Sequence, residues 1–120
     1  MQDRYRQDTG RKGEDRAAGF LNDRGFEVIE RNFRYGRYGE IDIIARAQGL
    51  LVFVEVKKRT TDSYGGALYA ISARKKESFR RAARHFLQKN PSLDTPEITC
   101  RFDLISIEND TVEWIEDMFR

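Results

Sequence analysis

The sequence predicts an α/β fold, a central mixed β-sheet flanked by helices in the order α-β-β-β-α-β(-β). Apolar residues recur at helical spacing in 11–24 and 72–89, while the runs between and after them alternate apolar and polar residues at the two-residue period of strands. A third observation concerns 39–59, GEIDIIARAQGLLVFVEVKKR, where Asp42, Glu55 and Lys57 interrupt two runs that otherwise read as buried strands. Ionised groups among strand core residues are costly unless they are paired or bind a metal. Three of them on adjacent strands point to a working site.

A chain of 120 residues is long enough for one core and too short for two. The expected organisation is a flexible arm over 1–10 followed by one domain over 11–120. No apolar run reaches membrane-span length, and MQDRYRQDTGRKGEDR lacks the apolar stretch of a signal peptide, so no membrane association and a cytoplasmic location are expected. The single cysteine, Cys100, excludes an internal disulfide and a cysteine-based zinc site and reads as a buried thiol. A single histidine, His85, likewise excludes a histidine-rich metal cluster. Net charge is +2, but residues 1–102 hold 21 basic and 14 acidic side chains, whereas 103–120 hold one and six. That imbalance suits a polyanionic partner on the body of the protein, and a solvated mixed surface accounts for it equally.

In the first helix, Ala17, Phe20 and Leu21 form the inward stripe, Glu14 lies on the same side, and Gly25 is placed to cap the end. Glu14 is either an acid aimed at the core or a first-turn residue favoured by the helix dipole. Residues 26–34 alternate with a shift, as a bulged or edge strand does, and 35–39 turn the chain back. Arg31, Asn32, Arg34 and Arg37, interleaved with Phe33, Tyr35 and Tyr38, form a basic and aromatic surface for a nucleic-acid backbone, or simply solvated strand-end charge.

In the next strand Ile41, Ile43 and Ala45 are expected on one face and Glu40, Asp42 and Ile44 on the other. In the strand after it, Val52, Val54 and Val56 oppose Phe53, Glu55 and Lys57. A two-residue turn at Gln48 and Gly49 makes paired residue numbers sum to 97, setting Asp42 opposite Glu55 and Glu40 opposite Lys57; a three-residue loop makes the sum 96 and separates the acids. Facing carboxylates repel each other, and a divalent cation relieves the repulsion. Oxygen-only donors suit Mg²⁺ or Mn²⁺, with Glu14 as the third carboxylate of the set Asp42, Glu55, Glu14. An ion-pair network among Glu40, Asp42, Glu55 and Lys57 is the structural alternative.

Residues 60–69, with Gly65 and Gly66, read as a loop beside the site. Residues 72–89 form a helix with Ser72 as N-cap and Phe79, Ala82, Ala83, Phe86 and Leu87 as its apolar face. Lys76, Arg80 and Arg84 follow one another at its border, Lys75 reaches toward the strands, and His85 is expected at the surface. A strand over 97–107, a turn at Asn109 and Asp110, and a short strand over 112–115 complete the chain, with Trp114 packing and Arg101 pairing with Asp103.

This order, with Asp42 on one strand and Glu55-x-Lys57 on the next, resembles the PD-(D/E)xK nuclease superfamily and its restriction-endonuclease-like fold; Ile41 stands in place of the signature proline. The phrases Gly13-Glu14, Arg31-Asn32-Phe33-Arg34, Gly39-Glu40-Ile41-Asp42, Phe53-Val54-Glu55-Val56-Lys57 with Arg59, Ala70-Ile71 followed by Lys75, and Arg101-Phe102-Asp103 are similar to the YraN-type family of predicted endonucleases, related to Holliday junction resolvases. The likeness runs from Gly10 to Ile107, and Ala73 replaces a proline common in that family. It implies a Mg²⁺- or Mn²⁺-dependent endonuclease acting on DNA, with Glu14, Asp42, Glu55 and Lys57 as catalytic residues. Arg31, Asn32, Arg34, Arg59, Lys75, Lys76, Arg80 and Arg84 would hold the nucleic acid. So few residues offer little base reading, so structure-selective cutting of branched DNA, by a possible homodimer, is expected. A non-catalytic or partner-dependent nucleic-acid-binding module with the same fold is the alternative.

Overall fold

A computed structural model describes residues 2–37, 39–59, 72–109 and 111–119, with side chains from Lys12 onward except that of Arg59. The elements are α1 (Gln2–Asp23), β1 (Glu27–Tyr35), β2 (Gly39–Ala47), β3 (Leu50–Arg59), α2 (Ala73–Lys89), a 3₁₀ turn (Pro91–Leu93), β4 (Thr99–Glu108) and β5 (Thr111–Phe119). Five strands form one sheet in the order β1-β2-β3-β4-β5, with β3 and β4 parallel and the other neighbours antiparallel. The expected loop over 60–69 and the Ala70-Ile71 pair lie outside the described residues.

One helix covers each face. Ala17, Ala18 and Leu21 of α1 bury Ile43, Ala45, Val52, Val54, Ile105 and Ile107. Phe79, Ala82, Ala83 and Phe86 of α2 bury Ile41, Ile44, Leu51, Phe53 and Phe119. The helix ends follow the local chemistry. Gly25, at φ +89°, closes α1 through amides that donate to Asn22 and, from Phe26, to Leu21. Ser72 caps α2 by accepting from the Lys75 amide at 3.1 Å. Gly39 lets α2 approach β2, since a Cβ there would collide with the Ser78 carbonyl oxygen.

Several expectations are corrected. Helix α1 begins at Gln2, well before the expected start near Arg11; its N-terminal sequence holds no proline to stop the helix propagating, and residues 2–10 of the segment expected as a loose arm are helical. Cys100 is exposed, because the last pair joining β5 to β4 is Phe102↔Phe119 and, among the described residues, β4 runs on past it without a neighbour on that side. Strand β5 extends to Phe119, beyond the expected 112–115. Fully buried Asp103 secures it, accepting from Arg101 through two nitrogens at 2.8 Å, from Trp114 Nε1 at 2.9 Å and from the Asp117 amide at 2.9 Å. The Arg101–Asp103 pairing and the packing role of Trp114, edge-on to Phe20 and Phe26, are as expected.

Ile41 does not share a face with Ile43. Arg31 pairs with Ile43 and Phe33 with Ile41, yet Arg31 reaches α1 while Phe33 packs edge-on against Phe86 of α2. A regular strand would put Arg31 and Phe33 on one side. Asn32 between them has φ +55°, a left-handed conformation that asparagine tolerates better than most residues, and the face changes there on both strands. Asp42 is the residue of β2 that falls opposite this switch.

Candidate active site in the fork between β2 and β3

The hairpin register is the one that sums to 97, with Ala47↔Leu50, Ala45↔Val52 and Ile43↔Val54. The ladder ends at Ile43↔Val54, so the expected facing pairs Asp42–Glu55 and Glu40–Lys57 do not form. Beyond that point β2 stays paired to β1 through Phe33↔Ile41 and Arg34↔Glu40, while β3 stays paired to β4 through Glu55↔Leu104 and Lys57↔Ser106. The sheet therefore forks. Asp42 sits where it opens, and its Oδ2 accepts from the Val56 amide at 2.8 Å, replacing a ladder bond with a side-chain bond.

Around Asp42 the sequence-expected acids gather without packing against one another. Burial raises the Asp42 pKa to about 7; repulsion from Glu55, Glu14 and Glu40 adds to the rise, and the Val56 hydrogen bond opposes it. Each neighbouring acid is held by a cation from a different element. Lys75 Nζ at the start of α2 lies 3.2 Å from Glu55 Oε1. Arg31 of β1 lies 3.5 Å from Glu14 and 2.7 Å from Asp15. Glu40 takes Arg34 at 2.8 Å rather than Lys57. Lys57, two residues beyond Glu55 on the α2 side of β3, is partly buried, and among the described residues no ion pair involves it. Arg31 Nε is buried, with no hydrogen-bond partner among the described residues.

The donor chemistry fits Mg²⁺ or Mn²⁺: carboxylate oxygens, and a local excess of negative charge that a divalent cation would offset. Asp42 and Glu55 are the residues best placed to hold it. Among the described residues no group of three or more Asp, Glu, His or Cys side chains is close enough to hold a metal ion together, so the expected three-carboxylate set Asp42, Glu55, Glu14 is not assembled.

Six of the eight residues expected to contact nucleic acid divide into three sets. Arg31, Arg34 and Lys75 are engaged with acids around the fork. Lys76 and Arg80 lie over the Phe119 ring, 6.0 Å and 5.0 Å from its centroid. Exposed Arg84 lines a groove with Tyr35, Arg81, His85 and Gln88. Asn32 is exposed and acts through its backbone, and the Arg59 side chain lies outside the described residues. His85 is not a plain surface residue, since it stacks on Tyr35 at 4.1 Å. Sequence reasoning missed the Val56 amide and the Asn32 turn; the only local signal for the turn was an asparagine inside a strand.

The geometry accompanies a clear kinship. The model for the family described as "Uncharacterised protein family UPF0102" matches residues 13–107, which takes in Glu14, the fork and β4 up to Ile107. The chain belongs to the UPF0102 family. Within it, this member is 46% identical over 110 residues to a UPF0102 protein of Shewanella baltica, covering 92% of this chain and 97% of the relative. It is 46% identical to a UPF0102 protein of Dechloromonas aromatica, at 92% and 87% coverage. A UPF0102 protein of Shewanella loihica is 42% identical, at 92% of both chains. Among the described residues of this UPF0102 member, no helix is long and apolar enough to cross a membrane.

Proposed function

We propose that this UPF0102 member is a Mg²⁺- or Mn²⁺-dependent endonuclease of restriction-endonuclease-like fold that hydrolyses phosphodiester bonds in branched DNA. The observation that carries the reading is Asp42, held in the sheet fork with its pKa raised to about 7 by burial and, beyond that, by repulsion from Glu55, Glu14 and Glu40, while Lys57 follows on the adjacent strand. A structural ion-pair network has no use for an acid set among three others of like charge. A cation-binding site does.

The bound cation would supply an acidified water and charge neutralisation at the scissile phosphate. Asp42 and Glu55 would hold it, and Glu14 would add negative charge to the site. Val56 N–H fixes one Asp42 oxygen, leaving the other to face the ligand. Lys75 and Arg31 set the positions of Glu55 and Glu14. Lys57, two residues beyond Glu55 on β3, stabilises the negative charge that grows on phosphate in the transition state. Lys76, Arg80 and Arg84 hold the DNA backbone without reading sequence.

Two observations favour a second reading, a partner-dependent binding module: Lys75 already occupies one Glu55 oxygen, and among the described residues no third ligand closes around Asp42. One assay separates the two. Purified protein is incubated with linear, flapped and four-way-junction DNA in Mg²⁺ or Mn²⁺, alongside Asp42→Ala and Lys57→Ala. The endonuclease reading expects cleavage of branched substrates by the wild type alone. Cleavage by none of the three, or by all three equally, leaves the binding module.

A further inference from the structure

On the α2 face, at the β1 edge of the sheet, Tyr35, Arg81, Arg84, His85 and Gln88 line a groove of about 480 Å³. We propose that this groove is a subsite for single-stranded nucleic acid, in which one unpaired base stacks on the Tyr35–His85 platform and its phosphate lies against Arg81 and Arg84. The proposal rests on the endonuclease reading for its biological sense and names the form of DNA that site receives.

The aromatic geometry carries it first. Tyr35 and His85 stack with centroids 4.1 Å apart and ring planes 24° apart. Phe33 lies 6.0 Å from His85, and Phe33 meets the core ring Phe86 edge-on at 5.3 Å. The stack is therefore backed by the hydrophobic core and already ordered, so a base that joins it need not order the rings. Such platforms serve unpaired bases; in a duplex the base faces are covered by their neighbours and cannot reach a ring.

Charge carries it second. Two guanidiniums line the groove, and among the described residues no acid does. Among the described residues Arg81 has one long ion pair, Nε to Glu77 at 3.5 Å, and Arg84 is exposed. Gln88 adds an amide that can donate to and accept from a base edge.

Position carries it third. His85 comes ten residues after Lys75 on one helix, about 15 Å along it. Lys75 is paired to Glu55 at the fork, so a strand entering the fork would reach the groove within a few nucleotides. A substrate that is double-stranded at the cut and single-stranded beside it fits both places.

The test uses a fluorescein-labelled single-stranded oligonucleotide of mixed sequence and the matching duplex, followed by anisotropy in EDTA, with circular dichroism on each variant. Wild type should bind the single strand more tightly than the duplex. Tyr35→Leu should weaken single-strand binding about 5- to 150-fold while duplex binding changes little. Arg84→Glu, at an exposed position that does not threaten folding, should weaken single-strand binding about tenfold or more and lower its salt dependence. Equal binding of duplex and single strand, or undiminished single-strand binding by Arg84→Glu, overturns the proposal. Groove-dependent binding without cleavage in Mg²⁺ or Mn²⁺ would refute the endonuclease and leave the subsite standing. Cleavage indifferent to Tyr35 and Arg84 would do the reverse.

Discussion

The Val56 amide donates to Asp42 Oδ2 at 2.8 Å at the point where the ladder between β2 and β3 has stopped. This bond joins the fold to the site. It satisfies a backbone donor that the fork would otherwise leave open, and it holds a carboxyl group between two strands that each continue with another neighbour. The same fork keeps Glu55 and Asp42 from pressing directly together, leaving them as separate donors around one opening.

Stability should depend on pH through Asp42. Its folded pKa is about 7 against an ordinary value of 3.8, so between these limits the folded protein keeps a proton that the unfolded chain has lost. Stability is therefore full below about pH 4, falls as pH rises toward 7, and stays low above it. The whole loss is at most roughly 4 kcal/mol. Urea unfolding from pH 4 to 8 should show this decline, and Asp42→Asn should flatten it; an Asp42→Asn protein with the same slope as wild type contradicts the assignment.

Asn32 should be specific for its backbone conformation. Its φ of +55° costs an ordinary side chain about 1–2 kcal/mol, so Asn32→Ala should lose about that much stability while Asn32→Gly loses less. Equal losses in urea denaturation would mean that the Asn32 side chain, not its backbone, is what matters.

Much of this was legible in the sequence, and the reasons differ from residue to residue. The hairpin register was one of two that the sequence left open, and the two-residue turn at Gln48 and Gly49 is the one that forms. The helix caps at Ser72 and Gly25 were local signals. The end of the ladder was not legible, because it depends on β1 and β4 pulling β2 and β3 apart, and neither pull is written within 39–59. The face change at Asp42 was hidden for the same reason, since its cause lies on β1. His85 was misjudged because helix periodicity placed it off the α2 core stripe, while Tyr35, from the end of another strand, came to meet it.

Metal affinity should respond in opposite directions to the two residues of one ion pair. Glu55→Gln removes a donor and should weaken Mn²⁺ binding about tenfold or more. Lys75→Ala removes a cation that competes for Glu55 at 3.2 Å and should tighten it about two- to fivefold. Isothermal titration at pH 8 measures both; weaker binding by Lys75→Ala would mean that the lysine orders Glu55 more than it competes.

Gly39→Ala should disturb α2 without touching any acid. The added methyl group meets the Ser78 backbone and Ala82, so α2 must move away from β2, at a cost of about 1–3 kcal/mol. Thermal denaturation should show the loss. Unchanged stability would mean that the helix shifts freely and that its position over the fork is not fixed by this contact.

The central claim is that Asp42 is the carboxylate a divalent cation binds. Carbon-13 NMR of labelled aspartate, titrated in EDTA and again in saturating Mg²⁺, follows it directly. Asp42 should titrate with a midpoint near pH 7 without the cation and about 1 to 3 pH units lower with it. A midpoint that stays where it is when Mg²⁺ is added would contradict the account.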